Sequence, residues 1–113
     1  MKKTLLVILF SLIVQGCSSV KIEGEKFDIE MVATSEEGKT RHVRYNIYTG
    51  ETWLSSNTKW VKIKEAEEIP VSKYKVTIVS TGKSWRTLRL DMISGKTWKN
   101  SGGSWIEFTG ESE

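Results

Sequence analysis

The segment Arg41-His-Val-Arg-Tyr-Asn-Ile-Tyr-Thr-Gly-Glu-Thr-Trp53 recurs 45 positions later as Arg86-Thr-Leu-Arg-Leu-Asp-Met-Ile-Ser-Gly-Lys-Thr-Trp98. Arg41/Arg86, Arg44/Arg89, Gly50/Gly95, Thr52/Thr97 and Trp53/Trp98 are identical, and the same offset pairs Ser56 with Ser101 and Trp60 with Trp105. Most other pairs are alike in kind: Val43/Leu88, Asn46/Asp91, Thr49/Ser94, Val61/Ile106 and Ile63/Phe108. One register kept from residue 41 to residue 63 marks an internal duplication, so the fold must be two similar modules.

Within each copy the apolar period is two. Phe27, Ile29 and Met31 alternate with Asp28 and Glu30, and Val43, Tyr45 and Ile47 with Arg44 and Asn46; in the second copy Tyr74, Val76 and Ile78, then Leu88, Leu90 and Met92, do the same. This is the signature of half-buried strands, with the apolar residues turned inward. Short strands around Glu51–Ser55, Lys59–Ile63, Lys96–Lys99 and Ser104–Phe108 bring the count to about eight. The expected fold is all-β: two duplicated four-stranded antiparallel meanders packed into a small sandwich or barrel, with repeat 1 over 26–63 and repeat 2 over 72–108. The charged linker 64–71 between them is expected to hold one helical turn, ended by Pro70.

In "NIYTGETW" and "DMISGKTW" the chain must reverse, and Gly50 and Gly95 suit the positive φ that such turns need. Asn46 and Asp91 are placed to accept hydrogen bonds from backbone N–H groups two or three residues on. Trp53 and Trp98 restart the next strand. Duplication implies that Gly50→Val and Gly95→Val destabilise the domain equally. The motif resembles the Asp-x-x-Thr-Gly hairpins of propeller blades and of small bacterial envelope proteins. Two copies are too few for a closed propeller from one chain.

The N-terminus carries a different message. Met1-Lys2-Lys3 precedes an apolar block, and Thr4 to Val14 supplies 11 residues, against ~20 for a spanning helix. A helical signal peptide over 1–16 is expected. Val14-Gln15-Gly16-Cys17 resembles the lipobox of bacterial lipoproteins. That resemblance implies a diacylglycerol thioether on Cys17, cleavage after Gly16 and acylation of the new amino end. Without it, the residues fit a secreted chain with a free thiol. Lipid chains contribute ~0.8 kcal/mol per buried CH₂ and hold a protein at a membrane. Ser18, where the family's inner-membrane proteins carry Asp, points to the periplasmic face of the outer membrane in a cell with two membranes. Residues 17–25 then form a lipidated tether, its eight residues after the cysteine reaching at most ~28 Å, and 26–113 the β-domain.

With Cys17 lipidated, no thiol remains for a disulfide, a nucleophile or a metal. Lys2 and Lys3 leave with the signal, so the formal charge of +3 falls to about +1, too little for a nucleic-acid binder. Residues 21–70 carry 8 basic and 10 acidic side chains, and 71–113 carry 7 and 4.

Catalysis needs a base, nucleophile or metal in a constellation. His42 is the one histidine, faces Thr87 in the alignment and sits between Arg41 and Arg44. Glu65, Glu67 and Glu68 are close in sequence on the linker, as a solvated face would be, and Ser101-Gly102-Gly103-Ser104 turns a hairpin. No enzyme, cofactor or metal is expected.

The five Trp residues are the remaining chemistry. Trp60 and Trp105 share strand faces with Lys62 and Glu107, opposite Val61/Ile63 and Ile106/Phe108. Either they close the ends of their own cores, or with Trp85 they form an exposed surface that anchors a protein or stacks on sugars. Tyr48 and Ile93, at the two turn tips, either fold onto the other copy or lie side by side as a small apolar contact. The expected function is a non-catalytic, membrane-anchored module that binds an envelope protein. Glycan or peptidoglycan recognition through the Trp-bearing face, and inhibition of a lytic enzyme, are the alternatives.

Overall fold

The computed structural model describes residues 24–35 and 39–110; the expected signal peptide, Cys17 and most of the expected tether lie outside them. The described chain is all-β. Strands β1 (Phe27–Ala33), β2 (Thr40–Asn46), β3 (Thr52–Ser56) and β4 (Lys59–Lys62) form a first antiparallel sheet, and β5 (Tyr74–Ser80), β6 (Trp85–Asp91), β7 (Thr97–Ser101) and β8 (Ser104–Glu107) a second. Each is a meander in sequence order. The 64–71 segment holds no helical turn: its residues lie in bends and irregular backbone, and Lys64 makes a parallel bridge to Ser104.

The repeated turns are built as their residues dictate. Asn46 Oδ1 accepts from the N–H groups of Tyr48 and Thr49 at 2.9 and 3.1 Å, and Asp91 Oδ1 from those of Ile93 and Ser94 at 3.0 and 3.3 Å. Gly50 and Gly95 close the turns at φ 79° and 85°. Their surroundings differ, against the expectation of equivalence. A Cβ on Gly50 would stand 2.9–3.2 Å from Ile69 and Tyr74, whereas at Gly95 nothing lies within 4 Å.

The two sheets share one core, and they do so through opposite faces of the repeat. In the first sheet Val43, Tyr45 and Ile63 point inward; in the second, Tyr74, Val76, Ile78, Trp98 and Trp105 do. The register explains why apolar alternation alone misassigns two strands. Phe27 pairs with Asn46, and Tyr45 with Asp28. The apolar residues of β1 therefore lie on the face opposite those of β2. Likewise Val76 pairs with Arg89 and Thr77 with Leu88, which sets β5 and β6 out of phase. Each sheet is thus apolar on both faces. Phe27, Ile29 and Met31, expected inside, are exposed, and so are Leu88 and Leu90, at 41% and 37%. Thr87, Arg89 and Asp91 are buried in their place.

The two sheets meet where β5 lies against β1 and β2. Just beyond β4 the chain also joins the edge of β8, where the Lys64 N–H donates to the Gly103 carbonyl and the Trp105 N–H to the Lys64 carbonyl, both at 2.9 Å. Val61 on β4 is exposed although it pairs with the inward Leu54.

Candidate functional site

The distinctive construction in each copy is an arginine between tryptophans. Pairing places Arg89 opposite Trp98, and Asn100 opposite Trp105, so both indoles share the Arg89 face. The Arg89 guanidinium carbon stands 4.2 Å from the Trp98 ring centre, 4.7 Å from that of Trp105 and 5.7 Å from that of Tyr74. It has no exposed surface. Its Nη1 and Nη2 donate to Glu65 Oε2 and Oε1 at 2.7 and 3.0 Å, and Nη1 also to the Gly50 carbonyl at 3.0 Å. A linker acid and the turn of the first sheet thereby neutralise and cover the charge, which a buried cation requires.

The first sheet repeats the construction on its outer face. Arg44 pairs with Trp53, and its guanidinium carbon lies 4.6 Å from the ring centre of Trp53, 4.9 Å from that of Trp60 and 5.8 Å from that of Phe27. Here no second sheet lies over it among the described residues, and Arg44 is half-buried by its own neighbouring rings. Trp60 is 38% exposed, while its counterpart Trp105 is 1% exposed. Arg44 forms no ion pair, and its Nε is buried without a hydrogen-bond partner, among the described residues. Lys62 flanks the stack and donates to Glu51 at 2.8 Å; that bond holds the Glu51 carboxyl below its ordinary range. Ile29 and Met31 extend the surface along β1. The result is a flat aromatic and aliphatic face centred on a cation.

At one end of this face a shallow hollow of about 250 Å³ is lined by Ile29, His42, Ser55, Asn57, Thr58, Lys59 and Trp60. Ser55 Oγ accepts from the His42 backbone N–H at 2.9 Å and lies 3.3 Å from the ring Nδ1. No carboxylate bonds the imidazole, and no three metal-ligating side chains come together, among the described residues.

The residues singled out from sequence separate. Trp60 belongs to the exposed face. Trp105 is a core residue and is unavailable to a ligand. Trp85 is half-buried and packs at the junction of the sheets, its ring centre 5.7 Å from the Arg41 guanidinium carbon. Tyr48 and Ile93 are exposed on their turns. The backbone carbonyls of Ile47 and Tyr48 accept from Tyr74 and Ser72. That reach from the first turn toward β5 sets it apart from the second. Sequence reasoning missed Arg44, Phe27, Trp53, Ile29 and Met31. The available signal was the identity of Arg44/Arg89 and of both Trp pairs, which share one face once the hairpin register is drawn.

No family model, characterised protein or solved structure matches this chain, so its function is read from these residues.

Proposed function

We propose that this chain is a membrane-anchored envelope lipoprotein, non-catalytic, whose β-domain binds a protein partner close to the membrane through the outer face of the first sheet. The lipobox-like Val14-Gln15-Gly16-Cys17 supports the anchor. The uncovered Arg44 stack, continuous with Phe27, Ile29 and Met31, carries the binding reading. Aromatic, Met and Arg side chains are those enriched where proteins meet, because they supply large contact area at low entropic cost. Such an apolar face is ordinarily covered in a soluble protein.

Glycan binding is a second reading, favoured by the hollow where Trp60 meets Ser55, Asn57 and Thr58. Sugar stacking wants an open ring face, and Arg44 already packs against Trp60. Protein docking is therefore preferred. Crosslinking in the native host, comparing wild type with Trp60→Asp, tests it: adducts to protein should disappear in the variant. Retention on purified sacculi, lost in the same variant while protein adducts persist, would replace protein by glycan. Cys17→Ser should abolish lipid labelling.

A further inference from the structure

Resting on that binding reading, we propose that the partner of the first sheet's outer face is the second sheet's outer face in another copy of this chain, so that copies stack head to tail into a ring. The contact already exists once within the chain. There, the inner face of the first sheet, bearing Val43, Tyr45 and Ile63, covers the Arg89 stack of the second. The repeat places the counterparts of those three, Leu88, Leu90 and Phe108, on the outer face of the second sheet, where all are exposed. The Arg44 stack is the receiving surface written again, with Phe27 in place of Tyr74. Each chain therefore presents one unfilled copy of each apolar half of its own interface, without the acid, since Gly110 stands where the repeat aligns Glu65.

The turn glycines repeat the same logic. Gly50 presents its carbonyl to Arg89 and is packed by Ile69 and Tyr74. Gly95 is its counterpart and its surroundings are open; its carbonyl is the acceptor for Arg44 of the next copy. Two unlike surfaces make a heterologous contact, which closes into a ring if each step rotates correctly. Rings of stacked four-stranded sheets hold roughly four to eight sheets, which here means about two to four chains. Lys75 and Lys99 replace Asp28 and Leu54 on the docking surface and face the basic Arg44 and Lys62. The contact between chains is consequently weaker than the one within them, and salt tightens it by screening.

The test is native mass spectrometry of the full chain in non-ionic detergent. Wild type should give a discrete complex of at least two copies. Trp60→Asp blocks one face and Leu90→Asp the other, so each variant alone should be monomeric, while an equimolar mixture should give a one-to-one dimer and nothing larger. Both side chains are exposed, and unchanged unfolding midpoints would exclude misfolding; Arg44→Glu and Leu88→Asp provide a second pair. A monomeric wild type, self-association of Leu90→Asp alone, or failure of the mixture to pair would overturn the proposal. A monomeric wild type that still crosslinks to a different envelope protein through Trp60 would remove self-stacking and leave the binding reading standing.

Discussion

Arg44 and Arg89 occupy one position of the repeat in two environments, and the difference falls on a single carboxylate. Arg89 is fully buried and its charge is balanced by Glu65. Removing one partner of a buried pair strands the other charge, at a cost of about 3–5 kcal/mol. Glu65→Ala should lower the unfolding free energy by that amount in urea titrations. Arg44 stands among rings on an outer face, where a cation over an indole contributes about 0.5–1 kcal/mol. Arg44→Met should therefore shift the same titration by no more than about 1 kcal/mol. Equal costs for the two substitutions would mean that the environments are not as different as their burial implies.

At the scale of strands and turns, the hairpin turns are alike in shape and unlike in charge. The Asp91 carboxyl is opposed by burial, but the Ser72 hydroxyl and the N–H groups of Ile93 and Ser94 outweigh that and hold its pKa at about 2. A carboxylate with a depressed folded-state pKa stabilises the protein above its unfolded value, near 3.8, and that stability is lost as pH falls toward 2. The loss amounts to about 2 kcal/mol. Between pH 4 and pH 2, Asp91→Asn should lose less unfolding free energy than wild type by about this amount. At the first turn the residue corresponding to Asp91 is the neutral Asn46, which adds nothing to this dependence. Strand phase gives a second prediction. Ile63 and Phe108 are repeat counterparts, one buried and one exposed. Ile63→Ala should cost about 2–5 kcal/mol, and Phe108→Ala within about 0.5 kcal/mol, provided both are measured on dissociated chains. Eight strands, the turn chemistry and the duplication were legible in the sequence because period two, glycine at positive φ and Asx capping are local effects. Which face is buried was not. Leu88 and Leu90 outrank Arg89 by hydropathy, and only the pairing of Arg89 with Trp98, the reach of Glu65 and the cover of Gly50 make burial of the arginine possible. The last two are contacts across 24 and 39 residues of chain, invisible to a window of neighbouring residues.

For the molecule as a whole, sheets apolar on both faces leave the two ends of the stack unfinished and unlike. The consequence is a built-in optical signature. Indole emission reports the access of solutes to the ring. Trp98 and Trp105 are sealed between the sheets, whereas Trp60 lies on the open face. Acrylamide titration of dissociated chains should therefore show two classes of emitter, one quenched readily and one resistant. If copies stack, the accessible class should shrink as protein concentration rises, and Trp60→Phe should abolish most of that change. A quenching curve independent of concentration would instead describe a face that stays open, so the chain's own tryptophans can follow its assembly without a label.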